Sequence, residues 1–192
     1  MMHPVERRFN KARGMRGDCY VADYTEQTAS RVGVVIAREK MDDIESFHLQ
    51  RGRKEVNYLA VNLEEHPAFI KGIPNCECFF VCTSKTDRPW LLFLELKYCK
   101  AHNLAMHASK AVTQMAAVLE KLVEERVIDP RAYRIYFNYS SPTNNRRQPF
   151  THFRHTPAEA MALMDRYGAY YLGFNHLIIT GPQFLRSPKR RI

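Results

Sequence analysis

The sequence predicts an α/β domain built on a mixed central sheet. Three observations carry that expectation. Two apolar runs, "CECFFVCTS" and "WLLFLELKYC", flank the polar "KTDRP" and read as a β-hairpin. The stretch after them repeats its apolar residues at three- and four-residue steps, the period of a helix. "AYRIYFNYS" then returns to alternation, so the helix reads as a crossover between strands.

Taken in order, residues 1–17 are rich in Arg, Lys and Gly and read as a flexible basic arm. Residues 18–50 mix apolar and polar groups with no breaker beyond Gly33, which predicts helix. "EVNYLAVNLEE" fits a strand or a helix end, and its periodicity does not choose. "HPAFIKGIPN" is punctuated by Pro67, Gly72 and Pro74 and predicts a loop before the hairpin. The following helix carries one stripe made of Ala108, Ala111, Val112, Met115, Leu119, Leu122 and Val123, and Asp129-Pro130 marks its end. Tyr133, Ile135, Phe137 and Tyr139 alternate with polar neighbours, the pattern of a half-buried strand. "SPTNNRRQPF" is a polar, basic loop. "HTPAEAMALMDRYG" has the marks of a helix: Thr156 as N-cap, Pro157 at the first position, Glu159 closing a capping box and Gly168 as the stop. "NHLIIT" predicts a last strand, and 186–192 a basic tail. Residues 18–185 are thus expected to form a single domain.

Length and composition limit the function classes. The 192 residues are 45% hydrophobic, enough for a substantial core. Lys and Arg number 29 against 20 Asp and Glu, a net charge of +9, which favours an anionic partner and nucleic acid first. There is no apolar run of the length that spans a membrane, and the basic N-terminus lacks the apolar stretch of a signal peptide. The five cysteines are odd in number, and Cys76, Cys78 and Cys82 crowd together, unlike a disulfide framework. These features predict a cytoplasmic protein. The same three cysteines lack zinc-knuckle spacing and share one strand face, so they read as core. His152 and His155 lie in a loop and suit a surface or phosphate-contacting role better than metal. His102 and His107 do not match the zinc-protease helix motif.

The chemistry sits in "FLELKYCK". Side chains alternate along a strand, so Leu91, Phe93, Glu95 and Lys97 share one face while Leu92, Leu94, Leu96 and Tyr98 share the other. Such a strand is buried at its start and opens toward a cleft at its end. Glu77 interrupts the preceding apolar run between Cys76 and Cys78. If the hairpin pairs the two strands, Glu77 and Glu95 converge. Two adjacent carboxylates repel and raise one another's pKa unless a cation stands between them. Hard oxygen ligands with open water positions suit Mg²⁺ or Mn²⁺. A lysine beside them can polarise a metal-bound water.

An acid on one strand followed by an acidic-x-Lys triplet on the next resembles the PD-(D/E)XK nuclease superfamily, the restriction-endonuclease-like fold. The triplet here is Glu95-Leu96-Lys97, and Glu77 stands where that family has Asp, with Pro74 three residues before it. Some branches place a Gln on the next helix, matched by Gln114 in "KAVTQM". The resemblance spans residues 76–126, with element order alone on the flanks. It implies a restriction-endonuclease-like mixed central sheet flanked by helices and metal-dependent hydrolysis of phosphodiester bonds in nucleic acid, DNA ahead of RNA. Glu77 and Glu95 would be metal ligands, Lys97 the water-activating or transition-state-stabilising group, and Gln114 a positioning residue. A further acid from the first helix occurs in some branches, for which Glu55, Glu64 and Glu65 are candidates. Arg146 and Arg147 would contact phosphates if their loop flanks the cleft. A homodimer would suit cleavage of two strands. The rival expectation is a nucleic-acid-binding or scaffold protein on the same fold that does not turn over.

Overall fold

A computed structural model describes residues 2–25, 33–145, 148–150, 158, 161, 164–165 and 168–188. It is a mixed α/β architecture with two mixed sheets and few helices. Helix α1 (Pro4–Arg8) and strand β1 (Arg13–Met15) open the chain. Strands β2 (Cys19–Asp23), β3 (Val34–Ala37), β4 (Phe47–Arg51) and β5 (Tyr58–Asn62) follow. A 3₁₀ turn at Leu63–Glu65 leads into the short α2 (Pro67–Ile70). The hairpin β6 (Cys78–Cys82) and β7 (Trp90–Leu96), the long α3 (Leu104–Glu124) and β8 (Arg134–Ser140) come next. Strands β9 (Ala169–Leu172), β10 (His176–Gly181) and β11 (Phe184–Arg186) complete the set.

The larger sheet runs β1-β5-β6-β7-β8-β9. Strands β5, β6 and β7 form an antiparallel meander, and α3 carries the chain to β8, which pairs parallel to β7 from Trp90↔Arg134 to Leu96↔Ser140. The smaller sheet runs β11-β10-β4-β2-β3 and is antiparallel except for β10 on β4. The layers follow from strand parity. Phe79, Leu91, Phe93, Ile135 and Phe137 point to one side and pack with Ala108, Ala111, Met115, Leu119 and Leu122 of α3. Phe80, Trp90, Leu92, Leu94 and Leu96 point to the other and meet Val21, Phe47, Leu49, Leu177 and Ile179 of the second sheet. All seven β7 residues are buried, and β8 is covered on both faces rather than half-buried. A strand covered on both sides reads as a continuous apolar run.

Several expectations change here. Residues 18–50 were expected to be helical, yet their described part forms β2, β3 and β4. The inward residues are Cys19 and Val21, Val34 and Ile36, Phe47 and Leu49, each pair two apart. That is the strand period, repeated in runs too short to stand out in a mixed stretch. The open choice at "EVNYLAVNLEE" resolves to β5 and the 3₁₀ turn, and the expected loop after it contains α2. Residues 4–15, read as part of a flexible arm, carry α1 and β1. Val5 and Phe9 are wholly buried, and Phe9 packs edge-on against Phe69 and Phe79. Strands β9 and β11 were not expected. Ala158, Met161, Met164 and Asp165 are helical, and Gly168, at φ +63, donates to the Met164 carbonyl at 2.7 Å, a left-handed helix stop. Thr156, Pro157, Glu159, His152 and His155 lie outside the described residues. Among the described residues no helix is long and apolar enough to cross a membrane.

Candidate functional site

The hairpin register sets the site. Cys78 pairs with Leu94, and the Glu77 N–H donates to the Leu94 carbonyl at 3.2 Å, so pairing continues one step past the end of β6. The next step sets Glu77 beside Glu95 on the α3 face. Lys97 lies just beyond β7 with its backbone N–H on the Ser140 carbonyl at 3.0 Å, which fixes where its side chain starts. Its ammonium donates to Glu77 Oε1 at 2.9 Å and stands 3.1 Å from Glu95 Oε1. One cation is therefore in ion-pair reach of both carboxylates.

The three groups differ in access to water. Glu95 is wholly buried and Glu77 nearly so, while the Lys97 side chain is 33% exposed. Neither carboxylate oxygen of Glu95 has a hydrogen-bond partner among the described residues, although Lys97 pairs with it electrostatically. Burial, then the Glu77 charge, push the Glu95 carboxyl up to about 8, against the pull of Lys97 and Gln114. Burial raises Glu77 as well, Lys97 opposes it, and Asp23 and Glu64 add to the rise. Burial works against the Lys97 ammonium, but the two carboxylates outweigh it and hold its pKa above the ordinary lysine value. Gln114 is positioned by α3, and its amide donates to the Asn75 carbonyl at 2.8 Å, anchoring the loop that leads to Glu77.

A cleft of about 340 Å³ opens above this cluster, lined by Asp23, Thr25, Glu64, Glu77, Lys97, Tyr98 and His107. A second hollow shares Lys97 and His107 and continues along α3 past Lys110 to Gln114. Of the three candidate additional acids, Glu64 alone lines the cleft, and its Oε2 accepts from the Val34 N–H at 2.7 Å. Glu65 is paired with Arg13 and Glu55 with Arg16. Arg146 and Arg147 lie outside the described residues. Sequence reasoning missed four cleft residues, Asp23, Thr25, Tyr98 and His107. His107 had a signal, since it sits two turns before Gln114 on the same face of α3. Tyr98 follows Lys97 just past the end of β7 and lines the same cleft. Asp23 had none, because it arrives from the second sheet.

Among the described residues no three His, Cys, Asp or Glu side chains form a metal-holding group on their own. The pair Glu77 and Glu95 still suits a hard divalent ion that keeps several waters and takes only one or two protein carboxylates. Such an ion would draw on carboxylate oxygens of Glu95 that already face the Lys97 ammonium. In comparisons with known proteins, the chain matches no family model, no curated protein and no solved structure.

Proposed function

We propose that this chain is a metal-dependent nuclease of the PD-(D/E)XK type, on a restriction-endonuclease-like sheet, that hydrolyses phosphodiester bonds of nucleic acid, DNA ahead of RNA. The observation that carries the reading is Glu95. It is a carboxyl sealed from water, in ion-pair reach of a lysine and beside a second carboxyl, both of which line a cleft. A buried acid with perturbed ionisation beside a cleft is a functional-site candidate. The meander of β5, β6 and β7 with the α3 crossover to a parallel β8 supports the fold reading.

Glu77 and Glu95 would hold Mg²⁺ or Mn²⁺, which would activate water and offset charge on the phosphate. Lys97 stays protonated at neutral pH. Its role is therefore to orient a water and to stabilise charge developing on the phosphate, rather than to accept a proton. Gln114 ties α3 to the Asn75 loop and thereby positions Glu77. The net charge of +9 draws the polyanion to the molecule, so binding should weaken steeply with added salt.

The test is a cleavage assay on single-stranded DNA, duplex DNA and RNA with Mg²⁺, Mn²⁺ or chelator, beside calorimetric metal titration. Glu95→Gln should weaken metal binding and cleavage together. Lys97→Ala should bind metal nearly as well yet cleave about a hundredfold more slowly or worse. One observation favours the rival, a non-catalytic nucleic-acid-binding protein: Lys97 already bridges both carboxylates and so satisfies part of their charge. Salt-sensitive nucleic-acid binding with neither metal uptake nor cleavage would establish that rival.

A further inference from the structure

A further hollow lies away from the carboxylates. It measures about 670 Å³ and is walled by β8, β9 and β11, with Met161 and Met164 beside them. Arg134, the first residue of β8, reaches into it. Strand β8 runs six steps from Arg134 to Ser140, beside Lys97, so the two sites stand about 20 Å apart. The inference below does not depend on the nuclease reading.

The arrangement around Arg134 is unusual for an arginine. No acid pairs with it among the described residues. Its guanidinium lies 4.3 Å from the Phe184 ring centroid and 5.6 Å from that of Tyr170, whose hydroxyl accepts from Nη1 at 3.0 Å. Nε is sealed from solvent and has no hydrogen-bond partner among the described residues. The remaining walls are apolar, and Tyr170 and Phe184 are among the most exposed large apolar residues described, at 42% and 46%. Aromatic surface facing water around one uncompensated cation is the make-up of a ligand site, and the volume is that of a small-molecule pocket.

We propose that this hollow binds a small organic acid: a planar aromatic body with a single carboxylate. The carboxylate would take the Nη2 end of Arg134 in a charge-assisted hydrogen bond. The body would lie against Phe184 and Tyr170 and the apolar walls formed by Leu172 and Leu185. One cation suits a monoanion; a nucleic-acid strand or an acidic peptide would call for several.

The probe pair 2-naphthoate and 2-naphthamide tests this, because the two share a body and differ in charge. Calorimetry on the full chain should show naphthoate binding about tenfold or more tightly than the amide, the scale of a charge-assisted hydrogen bond. Methionine-methyl NMR should shift Met161 and Met164 and leave Met106 on α3 unmoved. Arg134→Gln should remove the preference for naphthoate, and Phe184→Ala should weaken both probes. Should Arg134→Gln fail to fold, the two probes on wild type and on Phe184→Ala still decide. Equal affinity for both probes, no naphthoate binding at millimolar concentration, or shifts away from Met161 and Met164 would overturn the proposal. So would self-association in ultracentrifugation that naphthoate does not displace, since a second copy would then own the patch.

Discussion

Glu95 and Lys97 sit two residues apart and face the same way, yet they have opposite consequences for stability. An unfolded glutamate titrates near 4.5, whereas Glu95 keeps its proton up to about 8. Between those values the folded chain binds more protons than the unfolded one. The contribution of Glu95 to stability is therefore complete below 4.5 and is lost as the pH rises toward 8. In chelator, wild-type stability should fall across that window. Glu95→Gln should flatten the slope and be more stable than wild type at pH 8, by about 1–3 kcal/mol. Lys97 remains paired with Glu77 in that variant, so no charge is stranded. Lys97→Met does strand charge, leaving two buried carboxylates without a cation. It should cost roughly 3–5 kcal/mol at pH 8 and less at pH 5, where Glu95 takes up a proton. Denaturant unfolding of the three proteins at both pH values checks this. A wild-type profile flat from pH 5 to 8 would refute the account of Glu95.

At the scale of elements, the end of β8 is held by one side chain from the residue just before β10. Asn175 Oδ1 accepts from Ser140 Oγ at 2.9 Å and from the Ser141 N–H at 2.8 Å, and its Nδ2 donates to the Ser141 carbonyl and to Asn145 Oδ1. Asn138 makes a matching pair of bonds with the backbone of Phe174. These bonds tie the two sheets together beside Ser140, whose carbonyl holds the Lys97 backbone. Asn175→Ala would leave a buried hydroxyl and a buried N–H unpartnered and should cost about 2–4 kcal/mol in urea unfolding. Asn175→Asp keeps both acceptors and loses only the donor side, so it should lie between Ala and wild type if hydrogen bonding is the cause. The same element decides placement of the candidate site, so Asn175→Ala should also blunt any activity that depends on Lys97.

For the whole molecule, the N-terminal segment is the sharpest test of architecture. Strand β1 covers the edge of β5, and α1 delivers Val5 and Phe9 into the helix-side core. Removing residues 1–17 should therefore expose an unpaired strand edge as well as apolar surface. The expected outcome is a loss of at least about 3 kcal/mol together with aggregation, read by thermal unfolding and gel filtration. Removing residues 189–192 serves as the control for lost basic charge. A truncated chain that unfolds at the wild-type temperature would mean that α1 and β1 add nothing to the core.

What the sequence determined by itself was local and periodic. The hairpin, the stripe on α3, the alternation of β8 and the shared face of Glu95 and Lys97 each arise from a repeat of two or of three to four residues within one continuous run. Glu77 was legible for the same reason, as a charge interrupting an apolar strand. Tertiary structure decided the rest. The strands between 18 and 50 each offer only two inward residues, and a second sheet is needed to give those residues something to pack against. Asp23 enters the cleft through that sheet, and Glu64 is distinguished from Glu55 and Glu65 only because arginines from the N-terminal segment pair with the other two. The raised pKa of Glu95 is likewise absent from any local pattern. It requires strands, α3 and Glu77 to remove the carboxyl from water together, and desolvation is a property of everything packed around a group rather than of its neighbours in the chain.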